Sequence, residues 1–129
     1  FSSWPCHAME YQLTNQYHVT HGHGMAIIDA AWMEYILSER TLADFTRYAD
    51  VVFGITGKDP YETARAAIEK TKGVYEEMGL TLTLRSIGAS DPGGISKMAE
   101  KAVTEFGLDD AGEISLTISD AAKIYESCY

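Results

Sequence analysis

From Met25 to Leu37 the chain reads Met-Ala-Ile-Ile-Asp-Ala-Ala-Trp-Met-Glu-Tyr-Ile-Leu, which is apolar nearly all the way round a helical wheel. A helix patterned like this is buried on every side, not along a single stripe. The rest of the chain must wrap it with one-sided helices, or a partner domain must cover what the chain leaves bare. With 129 residues the chain is long enough for one domain around one core. The run is interrupted by Asp29 and Glu34 and is too short for a membrane span, which takes about 20 apolar residues.

The flanking segments have the one-sided pattern that such a wrapping needs. A first helix is expected from Ser3 or Trp4 to Gln16, with Met9 and Leu13 on one face and His7 and Tyr11 on another, each pair at i, i+4. Thr20 is placed to N-cap a second helix from His21 to Ser38. The run Thr41-Leu42-Ala43-Asp44 has the form of a capping box for a third, with Leu42, Phe45, Ala49 and Val52 as its stripe and Gly54 as its stop. Asp59 and Pro60 are cap and first residue of a fourth helix that closes at Gly79, followed by an extended loop from Leu80 to Ile87. Asp91-Pro92 repeats that start for a fifth, whose stripe runs from Ile95 to Phe106 before Gly107. A sixth begins at Thr117 or Ser119 and carries Ala121, Ile124, Tyr125 and Cys128. The expected fold class is all-α, a single helical domain of about six helices.

Charge and cysteine usage narrow the function classes. Ten Lys and Arg against nineteen Asp and Glu leave a net charge of −9, which argues against a nucleic-acid partner. The acidic residues between Asp44 and Glu77 read as solvated helix faces. Cys6 and Cys128 stand at opposite ends with no disulfide-framework spacing, so a reducing, cytoplasmic setting is expected. The opening Phe-Ser-Ser-Trp-Pro has neither the basic nor the apolar region of a secretory signal.

The chemistry is concentrated at one end. All four histidines, His7, His18, His21 and His23, lie within the first 23 residues. Imidazole is the commonest metal-ligating side chain and titrates near neutrality. The spacing of His7 and His21 forbids a single helix face but lets one sit in a helix and the other open the next, converging on one ion. Gly22 and Gly24 beside His21 would let backbone approach a cofactor or substrate. Helix-capping or core histidines are the plainer alternative. Three or four protein ligands normally complete a site, and no carboxylate partner stands out, because Glu10 lies three residues after His7 and points off the His7–Tyr11 line. His18 and His23 read as surface or supporting groups, and Cys6 as a small buried hydrophobe.

The runs Cys6-His7-Ala8-Met9-Glu10-Tyr11, Thr20-His21-Gly22-His23-Gly24-Met25-Ala26-Ile27-Ile28 and Ala31-Trp32-Met33-Glu34-Tyr35 resemble the iron-containing alcohol dehydrogenases, and within them the NADH-dependent butanol dehydrogenases. The likeness continues through Tyr48-Ala49, Gly54-Ile55, Gly79-Leu80, Met98-Ala99-Glu100-Lys101-Ala102 and Leu116-Thr117.

The resemblance implies an enzyme of two domains, an N-terminal α/β domain for the nicotinamide dinucleotide and a helical C-terminal one, with the catalytic metal between them. An aspartate and three histidines hold that metal, and the last two histidines match His7 and His21. Residues 1–129 would then be the C-terminal metal-binding domain, without its N-terminal partner. The implied cofactors are Fe(II), with Zn(II) as a substitute, and NADH or NADPH. The implied substrate is a small alcohol or aldehyde, and the intact enzyme is expected to be a homodimer. The family commonly has a further histidine facing the nicotinamide where this chain has Tyr11, so Tyr11 is the candidate catalytic and cofactor-facing residue. A phenol can donate a hydrogen bond or relay a proton, but it is a weaker acid–base group near neutrality than imidazole. A family proline in the second helix is replaced by Ala30, so that helix should run straighter. A freestanding helical metal-binding or interaction module is the alternative reading.

Overall fold

Local signals in the sequence begin and end most of the helices of the computed structural model, which describes residues 4–129. Six α-helices follow in order: α1 (Trp4–Tyr17), α2 (His21–Ile36), α3 (Leu42–Phe53), α4 (Pro60–Glu77), α5 (Gly93–Phe106) and α6 (Ile118–Ser127). Short 3-10 turns stand at Arg85–Ile87 and Leu108–Asp110, and there is no strand among the described residues. Ser3, one expected start of the first helix, lies outside them.

Asp59 caps α4 by accepting from the backbone N–H groups of Tyr61 and Glu62, with Pro60 at the first helical position. Thr117 and Asp120 form a reciprocal capping box at the start of α6, which decides between the two expected starts. Gly54 and Gly107 close α3 and α5 in the left-handed conformation, where a side chain would be strained.

Other expectations at the helix ends need correction. The third helix has no capping box. Thr41 sits in helical backbone geometry, and its hydroxyl turns back to donate to the carbonyl of Ile36, bracing the α2–α3 link. Thr20 has the extended backbone of an N-cap but makes no side-chain capping bond. The second helix stops at Ile36, short of Ser38, and runs unbroken through Ala30. The start at Asp91-Pro92 shifts by one, since Pro92 precedes the helix and Asp91 accepts from the N–H of Gly93. The segment expected to be extended up to Ile87 contains instead the turn Arg85–Ile87.

Packing explains the composition of α2. It touches α1, α4 and α6, so nearly every face meets another helix. Ile27 and Ile28 are fully enclosed and Trp32 nearly so. Burying each such side chain contributes about 1.5–3 kcal/mol. α3 pairs with α4, α5 with α6, and α1 also packs on α5. The buried Tyr125 hydroxyl donates to the backbone carbonyl of Met9 at 2.7 Å, tying the last helix to the first. No helix of the described residues is long and apolar enough to cross a membrane.

Candidate metal centre

α1 and α2 are joined by three residues and run past each other in opposite directions. As α2 advances from His21 to Asp29, its partners on α1 fall back from Glu10 to Cys6. This crossing brings together the two histidines expected as ligands. The rings of His7 and His21 lie with centroids 5.6 Å apart, and both residues are exposed on the same side of the molecule. With metal–nitrogen bonds of about 2.0–2.1 Å, two imidazoles sharing one ion have ring centres on the order of 5 Å apart. The pair thus fits two ligands of a divalent ion. Among the described residues no group of three or more His, Cys, Asp and Glu side chains is gathered to hold a metal. Two imidazoles alone fall short of the three or four protein ligands such an ion takes.

Beneath the histidines the helix interface is unexpectedly polar. Glu10 is only 2% exposed, although α1 could have placed an apolar residue there. Its Oε2 lies 2.5 Å from Nδ1 of His21, while its Oε1 accepts from the Thr14 hydroxyl at 2.5 Å. No carboxylate partner stood out along α1 alone, where Glu10 points off the His7–Tyr11 line; α2 delivers His21 to this carboxylate from outside that helix. Gly24 completes the arrangement. A Cβ at that position would stand 2.6 Å from Oε1 and 2.8 Å from Cγ of Glu10. The room that was expected to admit a cofactor or substrate is taken by this carboxylate, whereas a Cβ on Gly22 would meet open space.

A second polar group lies deeper, beside Cys6. The Sγ of Cys6 donates to Oδ1 of Asp29 at 3.8 Å, and the Tyr75 hydroxyl donates to Oδ2 at 3.0 Å. Burial raises the Asp29 carboxyl above the usual carboxylate range, although Tyr75, Cys6 and nearby His7 all pull it down. Burial and then the Asp29 charge push the Cys6 thiol and the Tyr75 phenol up, so both keep the protons they donate. Cys6 is buried, as expected of a small hydrophobe, and neither Asp29 nor Tyr75 was expected at the site.

Aromatic side chains border the histidines. Trp4, 50% exposed, stacks at 6.4 Å on His7 and meets Phe106 edge-on. Tyr11, 48% exposed, sits edge-on to Phe106 at 5.5 Å, one turn along α1 from His7. The other two histidines point elsewhere. Nε2 of His23 bonds the Thr81 carbonyl at 2.8 Å, and His18 is an exposed residue with φ of 54° at the end of α1.

Comparison with known proteins decides the family. Residues 1–129 match the family described as Fe-containing alcohol dehydrogenase family, C-terminal. The chain belongs to the Fe-containing alcohol dehydrogenases. It is 37% identical over 127 residues to NADH-dependent butanol dehydrogenase A of Clostridium acetobutylicum, covering 98% of this chain and 32% of that protein. It is 30% identical over 128 residues to the NADPH-dependent aldehyde reductase YqhD of Escherichia coli, covering 96% and 32%. Among solved structures, the substrate- and cofactor-free aldehyde reductase YqhD superposes with a TM-score of 0.86 at 27% identity, over 98% of this chain and 33% of that one. NADH-dependent butanol dehydrogenase A of Thermotoga maritima does so at 0.82 and 27%, over 97% and 32%. The chain spans about a third of the length of the curated relatives it matches. Its all-helical architecture is that of the corresponding C-terminal part of these Fe-type dehydrogenase structures.

Proposed function

We propose that the chain is the C-terminal helical domain of a metal-dependent, NAD(P)-linked alcohol dehydrogenase. The enzyme interconverts primary alcohols and aldehydes by hydride transfer to or from the nicotinamide. The observation that carries this reading is the pairing of His7 and His21 on one exposed face, 5.6 Å apart, in a chain of this family. His7 and His21 supply two ligands to a divalent ion, Fe(II) with Zn(II) as a substitute. An N-terminal domain supplies an aspartate, a third histidine and the dinucleotide site. When bound, the ion supplies Lewis acidity toward the carbonyl oxygen of the aldehyde.

This chain's own residues then hold, orient and exclude. The α1–α2 crossing fixes the two imidazoles relative to each other before any ion arrives, which lowers the ordering cost of binding. Trp4 and Phe106 flank the pair with apolar surface that keeps water from the reacting groups once the other domain covers it. Tyr11, exposed one turn along α1 from His7, would stand toward the nicotinamide, where its phenol could hold or pass the alcohol proton. The intact enzyme works as a cytoplasmic homodimer.

Turnover of butanal with NADH and NADPH tests the reading. The full-length protein is expected to reduce butanal, and its His7→Ala and His21→Ala variants should each lose at least ~100-fold, beyond the 10–100-fold typical of a residue that only supports a ligand. The isolated 129-residue chain is expected to show no turnover. Full activity in both histidine variants would overturn the assignment.

A further inference from the structure

We infer that Glu10 is a positioning residue for His21, a buried carboxylate that takes the Nδ1–H of the imidazole and presents its bare Nε2 outward as the ligating atom. The inference rests on the metal reading given above and assigns a residue outside the ligand set. Its geometry is direct. A carboxylate accepts and does not donate, so with Oε2 at 2.5 Å from Nδ1 the neutral ring carries its proton on Nδ1 and keeps its lone pair on Nε2. The His21 side chain is 61% exposed and that of Glu10 only 3%, so the bond anchors the inner edge of the ring and leaves the outer edge open.

Three further features hold the carboxylate in place. Thr14, one turn along α1, donates to Oε1, so the second oxygen is satisfied as well. Thr14 Oγ1 also lies 3.1 Å from the Val19 carbonyl, which places the α1–α2 link in the same cluster. Gly24, one turn along α2 from His21, leaves the space that the carboxylate occupies, because a Cβ there would overlap Oε1 and Cγ. Burying a carboxylate is costly relative to an apolar residue even when both oxygens are bonded. Helix packing alone would favour a leucine or methionine. A ligating histidine, by contrast, almost always donates its second ring nitrogen to a carboxylate or carbonyl, which fixes tautomer and ring angle.

Two measurements on the 129-residue chain test this, with far-UV circular dichroism verifying the helices of each variant. The first is imidazole 15N NMR without metal, at mildly alkaline pH. His21 is expected as the Nδ1–H tautomer in the unaltered protein, shifting toward Nε2–H in Glu10→Ala, with Glu10→Asp restoring part of the original signature. The reading of the unaltered protein decides even if Glu10→Ala fails to fold, and the isosteric Glu10→Gln gives a second variant. The second is Zn(II) titration, in which Glu10→Ala is expected to weaken binding 10–100-fold while His7→Ala and His21→Ala remove it. An Nε2–H tautomer in the unaltered protein, or Zn(II) binding untouched by Glu10→Ala but lost in both histidine variants, overturns the inference and leaves the metal reading standing. Zn(II) binding untouched by His7→Ala and His21→Ala overturns the metal reading, and the inference falls with it.

Discussion

In α4, α5 and α6 polar and apolar residues sort by face, and each helix starts or stops on a residue chemically suited to the task. The end where α1 meets α2 is built differently. There Glu10 and Gln12 are buried while Trp4, His7 and Tyr11 face outward, and α2 opens on the exposed His21 without a side-chain cap. Sequences chosen for stability agree with their fold at every level, and local violations gather where function sets the residue. The contrast therefore separates a scaffold from a working surface within one small domain. It also accounts for the cost of Glu10, which serves His21 and not the core.

Glycine exchanges probe the contrast most sharply. At the working end, Gly24→Ala drives a Cβ into Glu10 and should destabilise by about 1–3 kcal/mol in urea unfolding, despite the better helix propensity of alanine. In the scaffold, Asp120→Ala removes half of the capping box on α6 and the acceptor for Tyr35, at a cost of about 1 kcal/mol at neutral pH. This second effect depends on pH. Burial would raise the Asp120 carboxyl, but hydrogen bonds from Tyr35 and Thr117 outweigh it and hold the group below its ordinary 3.8. The stability it contributes is present above that value and lost as pH falls through the lower folded value, so the penalty of Asp120→Ala should shrink below pH 3.8. A penalty that stays constant down to acid unfolding would contradict the assigned bonds.

The remaining effects are smaller. Gly73→Ala, within α4, meets open space and should stabilise by about 0.5–1 kcal/mol, the opposite sign to the same exchange at Gly24. Destabilisation at both glycines would remove the distinction between the two regions. His7→Ala should move the metal-free unfolding midpoint least, within about 0.5 kcal/mol, because the residue is exposed. His21→Ala should cost more, because it leaves the buried Glu10 carboxylate without its imidazole partner. Residues that matter to a site and hardly to stability belong to the surface, not the scaffold.

Much of the scaffold was legible from sequence because its signals are local. Asp59-Pro60, Thr117 with Asp120, and the glycines at 54 and 107 act within one turn of themselves, and the all-round apolar run of α2 states its own burial. The misread starts at Thr41 and Asp91-Pro92 arose where a side chain could serve either the helix ahead or the link behind. The approach of His7 to His21 was expected from their spacing. The supporting groups were not, since Glu10, Gly24, Asp29 and Tyr75 acquire their partners only through the α1–α2 crossing and the packing of α4. A buried glutamate cannot be told from a solvated one until the neighbouring helix has a position. Its later glycine, three residues after His21, was the available clue.

The proposed function requires His7 and His21 to share an ion. Crystals of the chain soaked in millimolar Zn(II) and measured at the zinc absorption edge test it directly. The expected result is a single anomalous peak between the two rings, about 2.0–2.1 Å from Nε2 of His21 and from a ring nitrogen of His7. A map with no peak there, or with zinc only at His18 or His23, would contradict it.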